Sequence, residues 1–383
     1  MIRSLLLPAL LASAASLAQA PVTFHLFAEM NGVHETAAGG EIPIWGYGWA
    51  DEGFITLPAP LLSCLEGDSV HLIMDNPSPE SHTIHLHGLD VDQANDGVPS
   101  TSFQVPTDSS ATYAFRADHS GTYLYHCHVT TTLHLTMGMY GMILITRPDG
   151  TLWEEGPAYD RDIDLLFSDL EVEVNLDPTG AFPFHTIRPN YFMVNGLSGN
   201  SLTANSDVAA AVPGERVALR LGSMAYSKVS CTFPDEWNAQ LVMSDGRPLP
   251  EAMSPGVLDI YPGERYTVLI DAPESQETNL SAEFLSMVNG SSLSTQSVWL
   301  NTSLVQVKGE PAAPTWSCFP NPVSERLHAN LPEGNWRIAD GMGRFHSSGL
   351  HTGGTWSVNV EGWPSGIYFL HHTGGQSAKF FVN

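Results

Sequence analysis

Two short stretches constrain this chain more than anything else in it: HTIHLHG at 82–88 and YHCHVTTTLHLTMGM at 125–139. Seven of the chain's 16 histidines fall between His82 and His134. Successive side chains of a β-strand point to opposite faces, so position parity sorts these donors. His85 and His87 share a face, and on a regular strand His82, three positions earlier, points the other way. Cys127 faces away from its neighbours His126 and His128. Each stretch therefore offers one donor to one side and two imidazoles to the other.

The single donors are His82 and Cys127, joined from the following loop by His134 and, five residues on, Met139. Two imidazoles, a thiolate and a weak thioether make up the donor set of a blue copper electron-transfer centre. The remaining four, His85, His87, His126 and His128, are an imidazole-only set on the opposite side, which suits copper, zinc, iron or nickel. A structural zinc site is closed and four-coordinate, and would leave most of these histidines without a role. His119, in the turn DHSG, fits neither set and reads as a surface residue.

Elsewhere, short runs such as SVHLIMDN (69–76), ATYAFRA (111–117) and GMILITR (141–147) alternate with Gly, Pro, Asn and Asp clusters, and no long helical periodicity is present. This spacing predicts an all-β protein of sandwich or barrel type. Hydrophobic residues make up 43% of 383 positions, enough for more than one core, and the length predicts two or three domains. Residues 1–20 combine Arg3, an apolar run from Leu5 to Leu17 broken by Pro8, and Ala18-Gln19-Ala20, the pattern of a secretory signal peptide. No later apolar stretch approaches the ~18 residues of a membrane span, so an integral membrane protein is not expected. The formal charge of −26 argues against nucleic acid or anionic lipid as a partner. Four cysteines are no disulfide scaffold at this length. With Cys127 set aside, Cys64, Cys231 and Cys318 remain, and an oxidising compartment would let one pair bridge. Cys64 with Cys231, linking two domains, is one such pairing.

The two histidine stretches, with NDGVP (95–99) and TYAFRADHSGTYLYHCH (112–128), resemble the copper-binding domains of multicopper oxidases such as laccases and ceruloplasmin. The resemblance implies that His82, Cys127, His134 and Met139 hold a type 1 copper, His85 a type 2 copper, and His87, His126 and His128 a type 3 pair. It also implies electron passage from Cys127 into its flanking histidines, and proton delivery by Asp96 as the catalytic residue. Asp96-Gly97 taken alone is an ordinary turn signal. One spacing departs from the three-domain oxidases: His134 follows Cys127 by seven residues rather than five. Copper nitrite reductases use a longer loop still. In both families the methionine lies five residues after that histidine, which favours Met139 over Met137 or Met142.

By the same resemblance, 21–157 forms a cupredoxin-type Greek-key barrel, and 158–309 forms a second one that carries no recognisable copper ligands. The phrases PNYFMVNGLSG (189–199), GERVALRLG (214–222) and LDIYPGERYTVLIDA (258–272) resemble the middle domain of the three-domain members, and His185 is the only histidine in this region. A complete trinuclear cluster in the family takes eight histidines, four from each of two domains, whereas this chain offers four. A homo-oligomer with two-fold-related first domains would supply the rest, and type 2 and type 3 copper would then form on assembly. A nitrite-reductase-like arrangement would instead borrow His185 from a neighbouring copy.

The last section, 310–383, begins in the linker GEPAAP (309–314) and then changes character. FPNPVSERLHANL (319–331), RIADGMGRF (337–345), WPSGIYFL (363–370) and KFFV (379–382) resemble the type A sorting domain of the type IX secretion system of Bacteroidetes. That likeness implies a small C-terminal β-sandwich, the type IX machinery as a partner, and a secreted or cell-surface location. His328, His346, His351, His371 and His372 lack ligand spacing there and read as surface residues. The resulting expectation is a secreted multicopper oxidase that takes single electrons from a small-molecule or metal-ion donor at type 1 copper and reduces dioxygen. The competing expectations are a non-enzymatic type 1 copper carrier and a two-copper, nitrite-reductase-like enzyme.

Overall fold

In the computed structural model the described residues are 20–180, 186–206, 208–274, 278–302, 318–340, 345–372 and 377–382. All but the last residue of the expected signal peptide, together with His185 and the GEPAAP linker, lie outside them. The chain divides into two compact units, 1–305 and 306–383.

The first unit opens with a β-sandwich. Its strands are β1 (Val22–Glu35), β2 (Glu41–Trp49), β3 (Leu62–Leu65), β4 (Ser69–Asn76), β5 (His85–His87), β6 (Ser109–Arg116), β7 (Gly121–His126) and β8 (Tyr140–Thr146), with a short helix α1 (Thr131–Met137) between the last two. One sheet runs β2-β1-β4-β6 and the other β3-β8-β7-β5. Alternation in β4 buries Val70, Leu72 and Met74 and leaves Ser69 and His71 exposed, as expected of a strand with one face on a core. These side chains pack with Leu26, Tyr47, Tyr113, Tyr125 and Ile143 in the space between the sheets. Full burial of each such aliphatic side chain is worth roughly 1.5–3 kcal/mol.

A second sandwich follows, from β9 (Arg161–Leu170), β10 (Tyr191–Val194), β11 (Arg216–Ser223), β12 (Lys228–Thr232), β13 (Gln240–Ser244), β14 (Arg247–Met253), β15 (Val257–Ile260), β16 (Arg265–Asp271), β17 (Asn279–Leu285) and β18 (Ser292–Trp299). Its sheets run β10-β9-β11-β16-β13-β14 and β15-β12-β17-β18 around Phe167, Trp237 and Phe284. A separate apolar cluster joins the two sandwiches: Ile42, Ile44, Leu124, Tyr140 and Met142 of the first pack against Leu166, Leu170, Met193 and Met224 of the second.

The cysteines do not pair. Cys64 on β3 lies in the core of the first sandwich and Cys231 on β12 in the core of the second, so the bridge between them is replaced by two separate thiols, and Cys318 is also free. Desolvation pushes the Cys64 thiol up to about 12.

The second unit is also β. Strands at 318–319, 326–340, 345–359, 366–372 and 377–382 are hydrogen-bonded into one five-stranded sheet around Val323, Leu327, Leu331, Trp356, Leu370 and Phe380. His328 stacks on Phe319, and His346 lies against Trp363 and Tyr368. Among the described residues no helix is long and apolar enough to cross a membrane.

Candidate metal centre

Strand pairing brings the two histidine stretches together. β5 and β7 are antiparallel, with His85 opposite His126 and His87 opposite Leu124. His82 stands outside β5 and is fixed by its own bridge to Val105, with backbone hydrogen bonds of 3.1 and 2.8 Å. It points into the sandwich core and is fully buried, as are Cys127 and His134. The Cys127 Sγ lies 3.1 Å from His134 Nδ1 and 3.7 Å from His82 Nδ1. Met139 is held beside them by its backbone: its N–H donates to the His134 carbonyl at 2.9 Å, and its carbonyl accepts from Cys127 N–H at 3.1 Å.

This buried trio fits a metal on the state of its own atoms. Desolvation, followed by the nearby His134, lowers the His82 imidazole to about 3, and desolvation alone lowers His134 to about 4. Both rings are therefore neutral at ordinary pH and carry a lone pair. The outer Nε2 of each is buried without a hydrogen bond, and the nearest carboxylate to His134 Nε2 is Glu80, at 3.6 Å. Burial raises the Cys127 thiol, against hydrogen bonds from the Thr83 and Val129 backbones that lower it. Neutral imidazoles and a thiol that must give up its proton suit a cation better than any proton-bridged arrangement.

On the other face, donor atoms of His85, His87 and His126 lie within 4.8 Å of one another. His128 belongs to the same patch, 5.3 Å from His85 and 6.0 Å from His126 by ring centroids, but its donor atoms stand outside that trio. His126 Nδ1 donates to the Cys127 carbonyl at 3.0 Å, and His85 Nδ1 donates to the Asp96 carbonyl at 2.7 Å. These acceptors fix the tautomers and turn each Nε2 lone pair towards the patch. The His126 Nε2 then faces His87 Nδ1 at 3.3 Å, so two ring nitrogens converge where a shared proton or a cation must sit. Desolvation lowers His126 to about 3, and desolvation with the charge of Arg265 lowers His87 to about 4.

The Asp96 carboxylate is 3.3 Å from His85 Nδ1 and about one-third exposed. The turn that places it requires glycine. Gly97 has φ +73°, and a Cβ there would lie 2.0 Å from the Ile84 carbonyl oxygen. His119 is exposed and 3.6 Å from Asp90, away from both donor sets.

Several residues that position the donors carry no motif. Thr83 accepts from His128 N–H at 2.9 Å through its hydroxyl and from Tyr47 OH at 2.5 Å through its carbonyl. Tyr113 OH accepts from Ile84 N–H at 2.9 Å. Asn76, buried at the end of β4, donates to the carbonyls of Glu80 and Val105 at 2.7 and 2.8 Å and so ties down both sides of the His82 loop. Alternation could have placed Thr83 between the two donor faces, but nothing local marks the others.

The second sandwich meets the imidazole patch with an arginine. Arg265 is buried; its Nη1 donates to the Gly263 carbonyl at 2.9 Å and pairs with Asp245 at 2.9 Å, and its Nε reaches the Thr122 carbonyl at 3.4 Å. Its Nη2 fills the space beside Gly88, where a Cβ would come within 2.1 Å of it. Among the described residues the second sandwich contributes no histidine here.

Residues 55–150 match the family model described as "Multicopper oxidase". The chain is 27% identical over 245 residues to Laccase-2 of Cryptococcus neoformans, covering 58% of this chain and 40% of that one. It is 27% identical over 188 residues to the copper-containing nitrite reductase of Neisseria gonorrhoeae, covering 48% of this chain and 45% of that one. The chain thus spans less than half the length of either relative. In fold it resembles the blue copper oxidase of Nitrosomonas europaea, with a TM-score of 0.61 at 23% identity over 74% of this chain and 86% of the other. Copper is the metal that the matched family model implies, and the thiol and imidazole groups brought together here fit it. Residues 55–150, which carry both histidine stretches, are thus similar to multicopper oxidases, and the two sandwiches share the cupredoxin-type fold of their solved structures.

Proposed function

We propose that the protein is a copper-dependent oxidoreductase of the multicopper-oxidase kind. The observation that carries this reading is the Cys127 junction: its side chain lies with His82 and His134, while its own carbonyl holds His126 in the imidazole patch. Copper held there would accept single electrons at the thiolate site and bind dioxygen at an imidazole site.

The chain's own residues divide the work. His82, Cys127, His134 and Met139 form the type 1 donor set, and the dry core around them excludes water. His134 is the donor nearest an exposed polar group, Glu80, and so marks the side on which an electron donor approaches. His85, His87, His126 and His128 form the inner set, with His85 as type 2 donor and the others as type 3 donors. Asp96 touches His85 and reaches solvent, which suits it to carry protons to the patch. A four-imidazole patch is half of a trinuclear set, and we assign the other half to a second copy of the chain. The signal-peptide pattern and the sorting-domain likeness of 310–383 support export through the type IX machinery to the cell surface or medium.

A second reading rests on Arg265. A single chain that presents four imidazoles and an arginine would serve a mononuclear copper site, as in a nitrite-reductase-like enzyme, whereas an electron carrier with type 1 copper alone would leave His85, His87, His126 and His128 as remnants or a weak extra copper site.

The experiment is copper loading of the purified protein, with coppers counted per subunit, mass in solution, visible and electron paramagnetic resonance spectra, and oxygen uptake. The oxidase reading expects a blue oligomer with more than one copper per subunit that consumes oxygen. A blue monomer with one copper and no oxygen uptake would sink it. Cys127→Ser is expected to abolish the blue band, and its persistence removes the type 1 assignment.

A further inference from the structure

The seven-residue step from Cys127 to His134 is not an open loop. Most of it folds as α1, Thr131–Met137. So short a helix is marginal by itself, and its start has no side-chain cap, since Thr130 sits in the left-handed region with no capping hydrogen bond. Tertiary contacts must therefore fix it.

Its inner face carries His134 and Met137, both fully buried, into the first sandwich. Leu135 packs instead on the apolar cluster shared with Leu166, Leu170 and Met224 of the second sandwich. The directional contact comes from Tyr226, in the turn between β11 and β12. Its hydroxyl donates to the Thr132 carbonyl at 2.8 Å and lies 3.3 Å from the Thr136 hydroxyl. Tyr226 is itself pinned: the Asp169 carboxylate, buried on β9, accepts from Tyr226 N–H at 2.8 Å and from Ser227 N–H at 3.0 Å.

We propose that the second sandwich, which has no recognisable copper ligand, positions His134 of the first through this brace, with Tyr226 and Asp169 as positioning residues of the type 1 site. The proposal rests on the type 1 reading of His82, Cys127 and His134. A brace on the helix that carries one donor limits how far that donor can move when the metal changes oxidation state. Copper(II) favours tetragonal surroundings, so releasing His134 lets the oxidised state relax and lowers the reduction potential.

The test uses the full chain loaded with copper. Redox titration of the blue band and electron paramagnetic resonance compare the unsubstituted protein with Tyr226→Phe, Thr136→Val and Arg247→Gln, and hydrogen exchange of the α1 amides is followed on the metal-free forms. Tyr226→Phe is expected to keep the copper count and the blue band, lower the potential, alter the copper hyperfine splitting, and speed α1 exchange several-fold. Thr136→Val acts from the helix side, leaves the second sandwich untouched, and decides the matter if Tyr226→Phe does not fold; it is expected to shift the potential in the same direction. Arg247→Gln removes a different contact between the sandwiches, the one to Asp90 and Tyr123, and is expected to leave both readouts unchanged. Unmoved potential and exchange in Tyr226→Phe, or in Thr136→Val where that variant decides, overturn the brace, as does an equal effect from Arg247→Gln. An unsubstituted protein with no blue band overturns the type 1 reading itself, whereas a blue band of unmoved potential overturns only the brace.

Discussion

At the scale of single residues, the site is governed by burial of groups that would otherwise take up a proton. His82 and His126 are lowered to about 3, and His87 and His134 to about 4. A base whose folded value is depressed favours its neutral form in the fold, so its contribution is present above its unfolded value of 6.5 and is lost as pH falls towards 4. Asp169 works in the opposite sense: burial raises it to about 6, so its contribution fades as pH rises through 6. Four imidazoles outweigh one carboxylate. The metal-free protein is expected to melt at a clearly higher temperature at pH 7 than at pH 5, and a flat or reversed profile by calorimetry would contradict the burial argument. Gly97 supplies a second residue-level test. A side chain there meets both a positive φ and the Ile84 carbonyl, so Gly97→Ala is expected to cost more than about 1 kcal/mol in denaturant unfolding. It should also reduce copper at the imidazole patch while sparing the blue band, and simultaneous loss of both would show that Asp96 and His85 are not locally coupled.

At the scale of elements, β7 explains how one strand serves two neighbours. All six of its residues are buried, which breaks the in-and-out alternation seen in β4. Parity still holds within it: Tyr123 and Tyr125 enter the first core, while Leu124 enters the cluster shared with the second sandwich. The strand is thus buried along its whole length because both faces are covered. Leu124→Ala removes side-chain volume from that shared cluster and is expected to cost about 2–5 kcal/mol without changing the donor set. Chemical denaturation and copper counting on the same variant check the two halves of this expectation. α1 is the element that local sequence does not announce. TTLHLTM has three threonines, poor helix formers, and its helical turns come from packing between the two sandwiches.

At the scale of the whole molecule, the chain is two sandwiches joined through an apolar interface in one unit, followed by a separate small β unit. The sorting of the histidine and cysteine side chains into two faces was readable from the sequence, because parity along a strand is a local property: Cys127 must face away from His126 wherever the strand lies. The irregular step from His82 to β5 did not disturb that sorting, since the Val105 bridge turns His82 to the core independently. The all-β character was legible for the same reason, as alternation and turn residues act over a few positions. Three things were decided only by tertiary structure: the separation of Cys64 and Cys231 into different cores, Arg265 rather than a histidine beside the imidazole patch, and the hold of Tyr226 on α1. Each depends on which surfaces pack across a long stretch of chain, and the free energy of such packing comes from shape and burial summed over both partners. No periodicity or spacing within either partner encodes it.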